Sequence, residues 1–586
     1  MYNEWSLNSL YLGMDDPNLQ RDLSRLEEVI AAYKQAVASL SKEKAAEGLR
    51  SVMELAEEMQ VLSKRMGTFC FLRKSTNSSD SEASAMLMKV QGMTASATKE
   101  TVAFQKFAGT LENLEEVLES DELLRQYKFY FSEVKNSVSH KMGDEAEAVF
   151  ARMNLSGGKS WEDLMTHLTS TVEVEYKDGV TTQAGIRGFA DSSDAEERKS
   201  AFLAELASYK KIKDPLAFAL NSIKAQVNLE AELRGYSDAL ELTLVQSRMS
   251  RETLDALWQA VREALPKFRA YLKHKAKLLG HENGMPWFDV LAPMGKADGI
   301  SYTPEEAHKY LVERFTAFAP DLGAMMDRAF KEEWIDFYSR PGKRGGAFCN
   351  NLPYIGESRV MTNYSGSFGS VVTLAHELGH AYHGQQIQNH RPLNTSYTMP
   401  VAETASTFNE LVITNDAIRN AEGEAKVALV ESQLHNWTQI IVDIYSRFLF
   451  EDEVFRRRKN EFLFSEDLED IMLRAQKEAY GDGLDPEWLH PYMWACKGHY
   501  YRPYLSYYNF PYAFGGLFAA GLYAQYLEEG EAFLPKYRDI LKATTVDTVE
   551  NVAKLAGIDL TKPDFWRTSL AMVTAQIDLF IEETSK

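Results

Sequence analysis

The run His376-Glu377-Leu378-Gly379-His380 carries the most chemically loaded spacing in the chain. On a helix, residues four apart project from one face, so both imidazoles can reach one cation while the intervening carboxylate stands beside them. Zinc binds imidazole nitrogen at about 2.0–2.1 Å, and its hydrolytic sites use three protein ligands and leave a fourth position for water. Burying two imidazoles and a carboxylate together without a cation or hydrogen-bond partners would be costly, so the motif predicts a metal centre rather than helix packing. Glu377 is then the candidate base for the attacking water. The third ligand must lie elsewhere. The HExxHxxGxxH arrangement fails, because His383 stands at its glycine position and Gln386 at its last histidine. Carboxylates are available in the stretch from Val401 to Glu410, predicted as a second helix after Pro400; Glu403 and Glu410, seven apart, share a face there. His383, three residues past His380, fits either a site-lining or a structural role.

These residues need a frame, and the frame reads as mainly α. Leu23, Leu26, Val29, Ile30, Tyr33, Val37 and Leu40 form one apolar stripe at helical spacing, with Gly48 to Leu72 as the expected packing partner. Asp80 is placed to cap the helix after the polar loop at 75–84, and helices are expected to about Glu147. The period then switches to two at Val172, Val174 and Tyr176, with Asp178-Gly179 as a hairpin turn. Asp194 and Glu197 have the form of a capping pair, which puts a boundary near 190: an N-terminal helical domain over 1–190 and a catalytic domain over 191–586. Glycines and β-prone runs between Trp334 and Tyr364 predict a small sheet next to the HExxH helix, itself expected over Val371 to His383 after a turn at Gly366 to Gly369. Long helices follow, Ala428 to Phe455 among them.

With 586 residues, 45% of them hydrophobic, the chain can bury a large core, which excludes a disordered or fibrous protein. A formal charge of −21 disfavours phosphate backbones and anionic lipid, so neither nucleic acid nor membrane is expected as a partner. The apolar stretch Phe510 to Leu527 holds a proline, three glycines and Gln525 and reads as a buried helix. Three widely spaced cysteines, Cys70, Cys349 and Cys496, offer no disulfide framework, and Met1 to Asp16 lacks a secretory pattern, so a cytoplasmic location is expected. Gly157-Gly158-Lys159-Ser160 is not a phosphate loop, since Met153 occupies the place of its first glycine.

HELGHAYH, followed 23 positions after His380 by Glu403 in ETASTFNE, resembles the thimet oligopeptidase family, closest to its oligoendopeptidase F branch. Glu403, Ser406 and Glu410 match the family's pattern around its third ligand, while Ala405 departs from a proline of the thimet branch. The resemblance implies one catalytic Zn2+ on His376, His380 and Glu403. The segment Gly498 to Tyr512 looks like the family's His/Tyr segment, which carries transition-state hydrogen bonding onto His499, Tyr501, Tyr504 and Tyr508, with Tyr512 toward the substrate. Gly345, Gly346 and Ala347 resemble its glycine-rich stretch along the substrate, where small residues let two backbones approach. The implied fold is a helical two-lobed ellipsoid with a deep channel; the implied activity is cleavage of internal bonds in short unfolded oligopeptides. A related metallocarboxypeptidase and a peptide-binding protein with a structural zinc are the competing readings, the latter disfavoured by Glu377, which a closed structural site would not need.

Overall fold

The computed structural model describes residues 2–294 and 301–586. The first long helix, Pro17–Ala38, starts with proline at its first turn and with the Asp16 side chain accepting from the Asn18 N–H. It buries Leu23, Leu26, Val29, Ile30, Tyr33 and Val37 of the predicted stripe, together with Leu19, against a helix that runs from Ala45 to Thr76, beyond the expected ends, while Leu40 lies past the end of the first helix. Asp80 caps Ser81–Ala95 through the Ala83 N–H, as its position predicts. Helices continue past Glu147, through Asp144–Ser156 and Gly158–Thr171.

The predicted hairpin forms from β1 (Val174–Tyr176) and β2 (Gly179–Thr181), with Tyr176 opposite Gly179 and Lys177 at φ +52° in the turn. Asp194 caps Ala195–Tyr209 by accepting from the Glu196 and Glu197 N–H groups. Glu197 does not reach back to complete a capping box; its carboxylate takes Lys177 and Ser192 instead, tying the hairpin to the helix.

A second sheet contains β3 (Ile335–Asp336), β4 (Phe348–Leu352) and β5 (Glu357–Met361), with β5 central, parallel to β3 and antiparallel to β4. Side chains alternate across a strand, and here the two faces serve different cores. Leu352 and Met361 join a core built from the helices between Trp5 and Val134, whereas Val360 joins a larger core reaching from Met165 to Phe580. The sheet is thus a shared wall, and the helix bearing the HExxH motif, Phe368–Ile387, packs on β4 and β5. The expected uninterrupted helix from Ala428 to Phe455 is instead two helices, Gly423–Thr438 and Ile444–Arg458, joined by a π turn over Gln439–Asp443. Phe510–Glu529 is a buried helix within the larger core, and no helix among the described residues is long and apolar enough to cross a membrane.

Candidate active site

The motif helix starts at Ser367, whose hydroxyl accepts from the Ser370 N–H. Its histidines emerge one turn apart, with ring centroids of His376 and His380 4.9 Å apart and nearly perpendicular. Two asparagines hold the helix at this level: Asn409 donates to the Ala375 carbonyl and Asn351, on β4, to that of His380. At Gly379 the helix that bears Asn409 crosses. A Cβ there would lie 2.6 Å from the Ala405 carbonyl oxygen and from the Ser406 Cα, so only glycine allows the approach.

The predicted second helix is broken at the residue that matters. A short turn, Met399–Ala402, ends at Glu403, whose backbone (φ −92°, ψ 8°) leaves helical geometry before Thr404–Asn420 resumes it. The break aims Glu403 at both histidines: its Oε2 lies 3.3 Å from the Nε2 of His376 and 3.3 Å from the Nε2 of His380. Ser406 donates to the same carboxylate oxygen at 2.8 Å. A tetrahedral ion with bonds of about 2.0–2.1 Å separates its ligand atoms by roughly 3.3 Å, which both carboxylate-to-imidazole distances match, and all three ligand atoms lie within 4.8 Å of one another. Glu410 does not join the three; it meets the other nitrogen of His376, Nδ1, at 2.5 Å. That contact places the proton on Nδ1 and leaves Nε2 as the electron-pair donor.

Charge follows the same geometry. Burial works against a protonated His376, but the hydrogen bonds to Glu403 and Glu410 outweigh it and push its pKa up to about 10. Burial likewise works against an ionised Glu403, yet the two imidazoles hold its carboxyl far below the usual range. A zinc ligand must be a neutral imidazole, so metal uptake at His376 is coupled to proton release. Glu377, 6% exposed, has its carboxyl pushed up by burial against the opposing pull of His376 and His380. His383 is fully buried, donates through Nε2 to Thr544 Oγ1 at 2.8 Å and stacks on Tyr397 at 4.3 Å, so its role is structural.

The His/Tyr segment divides. The rings of His499 and Tyr508 stand 4.7 Å apart and those of Tyr508 and Tyr512 5.5 Å apart, forming a row that ends near Glu403, whose charge helps raise the Tyr512 pKa after burial and the bond to Tyr508. Gly515, one turn beyond Tyr512, abuts the Pro400 carbonyl and the Glu403 Cβ. Burial, then Arg502, Arg447 and Lys497, push His499 down to about 4, so it is neutral at pH 7. Tyr501 is elsewhere, wholly buried in the larger core with its hydroxyl unbonded. Tyr504 faces solvent, 62% exposed. Gly345 and Gly346 are exposed and Ala347 partly so, on the loop entering β4, an edge strand. Gly346 takes φ +81°, and Asn363 fastens its carbonyl and that of Arg344.

Three partners of the site were missed as such in the sequence: Glu410, which spacing alone left as a rival ligand, and the two asparagine clamps, Asn351 and Asn409. The seven-residue interval from Glu403 was the signal for the first; nothing local marks Asn351 or Asn409.

The sequence model for peptidase family M3 matches residues 189–572, and that described as oligopeptidase F matches residues 110–173. The Oligopeptidase PepF of Bacillus subtilis is 24% identical over 93% of this chain and 83% of its own length. The group B oligopeptidase PepB of Streptococcus agalactiae is 26% identical over 88% and 87% respectively. Among solved structures, a putative peptidase from Chlamydophila abortus superposes with a TM-score of 0.84 at 19% identity, covering 99% of this chain and 98% of that one. Oligoendopeptidase-F from Enterococcus faecium gives 0.69 at 18%, covering 97% and 99%. A helix-borne HExxH with its distant glutamate thus sits within a family match that spans most of the chain, and the protein belongs to peptidase family M3, as a metallopeptidase of the oligoendopeptidase F type.

Proposed function

We propose that this protein is a zinc-dependent endopeptidase that cleaves internal bonds of short, unfolded oligopeptides, with its catalytic unit over residues 191–586 following a helical unit over 1–190. The observation that carries the reading is the single Glu403 oxygen equidistant from two Nε2 atoms, with the buried Glu377 next to His376 in sequence. Oligopeptide substrates are those named for the bacterial relatives, and the three free cysteines fit work in a reducing cytoplasm.

His376, His380 and Glu403 hold the ion, which when bound supplies Lewis acidity toward water and the scissile carbonyl. Glu377 takes the proton of the attacking water and passes it to the departing amine; a raised pKa suits a group that must both accept and release it. Neutral His499 donates an N–H, and Tyr508 with Tyr512 donate hydroxyls, toward the oxygen that gains charge in the transition state. Tyr501, wholly buried, and Tyr504, 62% exposed, take no donor role in this row. Gly345, Gly346 and Ala347 lead the edge strand β4, against which an extended substrate backbone can pair.

An internally quenched peptide with both ends blocked tests the proposal. Zinc-loaded protein should cut it internally, a chelator should stop the reaction, and mass spectrometry should show fragments from within the sequence. A folded protein should survive the same incubation. Loss of terminal residues alone, or hydrolysis indifferent to chelator, defeats the reading.

A further inference from the structure

A cavity of about 200 Å³ opens between the helix Ala195–Tyr209, the π turn Gln439–Asp443 and the segment Met493–Lys497. Its wall carries four cations: Arg187, Arg198, Arg447 and Lys497. Arg187 is paired with Glu205 at 2.8 Å, Arg198 with Asp289 at 2.7 Å, and Arg447 through one nitrogen with Asp443. The Lys497 side chain has no ion pair or hydrogen bond with any described residue, although the residue is half-buried. The Arg447 Nε is buried without a partner, on a residue only 9% exposed. In a chain of net charge −21, an ammonium without an ion pair, within the field of Asp443 and beside an unsatisfied guanidinium donor, is not a general basic surface. Both groups are costly to leave as they stand, and both residues line the same cavity.

The cavity lies one layer from the metal cluster. Ile440, in the π turn, packs against Gly516 of the helix Phe510–Glu529, whose first turn bears Tyr512 and whose Gly515 touches Glu403. Lys497 is the residue before the turn Gly498–Tyr501 that presents His499. Phe202, Trp287 and Phe288 supply an apolar wall.

We propose that this cavity receives the free C-terminal carboxylate of the substrate peptide on Lys497 and Arg447, with the last side chain against the aromatic wall. The inference rests on the peptidase reading for its ligand. A carboxylate accepts from a planar guanidinium and an ammonium at once, whereas the peptide's amino end would meet like charge. Burial lowers the Lys497 pKa, as expected of an ammonium whose counter-ion arrives with the ligand.

Calorimetry on zinc-loaded Glu377→Gln protein, with one short peptide as the free acid and as the C-terminal amide, reads the site without turnover. The acid should bind about tenfold tighter. Adding Lys497→Met should bring the two affinities together, and Lys497→Arg should restore the gap. Equal binding of acid and amide by the Glu377→Gln protein overturns the proposal even if Lys497→Met does not fold, and so does an equal loss for both peptides in the Lys497→Met protein. An amide ending in aspartate that matches the acid would move the contact to a side chain and overturn the assignment to the terminus. Wild-type hydrolysis of the blocked peptide is scored separately: its failure refutes the endopeptidase, while the acid-to-amide ratio still judges the cavity.

Discussion

Removing the carboxylate behind His376 tests whether the metal centre depends on a partner that holds no metal. Glu410 meets Nδ1 at 2.5 Å and stands on the same helix as the residues following Glu403. Glu410→Gln keeps an acceptor for the Nδ1–H, and therefore the tautomer, but removes the negative charge that makes the ring a better donor. Glu410→Ala removes both, leaving the ring to choose between tautomers. Loss of such a partner costs roughly 10- to 100-fold in metal affinity, so the glutamine variant should fall near the lower figure and the alanine variant near the upper, about 1.4 and 2.7 kcal/mol. Competition against a chromophoric chelator at fixed pH measures both, with thermal melts confirming that each variant folds. An alanine variant within twofold of wild type would refute the argument. A loss beyond 1000-fold would refute it from the other side, by showing that Glu410 is itself a ligand.

Four further outcomes follow from the same geometry. Glu377→Gln should retain stoichiometric zinc and lose hydrolysis, so near-normal turnover would remove Glu377 from its role. Tyr508→Phe should lower kcat by roughly 100- to 1000-fold with little change in KM, whereas Tyr501→Phe, which deletes a hydroxyl already unbonded, should be nearly silent in steady-state kinetics; equal effects would dissolve the distinction. Gly379→Ala pushes a Cβ to 2.6 Å from backbone atoms of the neighbouring helix and should cost about 1–3 kcal/mol in denaturant titrations, with an unchanged midpoint counting against the close crossing. His383, pushed down to about 3 by burial, is neutral when folded, while the unfolded chain titrates it near 6.5. The unfolded state therefore takes the proton first as pH falls, and the stabilisation present above about 6.5 is lost toward 3, some 2 kcal/mol of it between pH 7.5 and 5. Denaturation of wild type and His383→Gln at those two pH values should show the larger drop in wild type.

What the sequence made legible was periodic or chemically singular. The stripe from Leu23 to Val37, the Asp80 cap and the hairpin each rest on a local rule and each formed, the hairpin with its turn one residue earlier than expected, at Lys177-Asp178. The HExxH spacing needed only a helix to bring two nitrogens onto one carboxylate oxygen. Features that depended on packing were not legible. The π turn at Gln439–Asp443 leaves the apolar pattern of its helix unbroken, so periodicity reads straight through it. The row from Gly498 to Tyr512 offers many similar phenols, and only three-dimensional placement separates Tyr508, edge-on to His499, from Tyr501 in the core and Tyr504 in solvent. His383 looked like a possible site residue because its spacing from His380 suits one, yet the helix turns it toward Thr544.

The break at Glu403 explains why a helical protein can build this centre at all. Two histidines on one helix fix two corners of a tetrahedron, but a third ligand from a continuous neighbouring helix would arrive along that helix's own face, at a distance set by side-chain packing. Ending one turn at Ala402 and starting the next at Thr404 frees the backbone of Glu403 from that constraint. Gly379 then lets the second helix come close enough at Ala405 and Ser406 for a single carboxylate oxygen to reach both Nε2 atoms. The same crossing presents Ser406 to steady that oxygen and, further along the helix, Glu410 to orient His376. Ligand, close approach and orienting partner are therefore consequences of one helix–helix contact, so a change that opens it should loosen all three together.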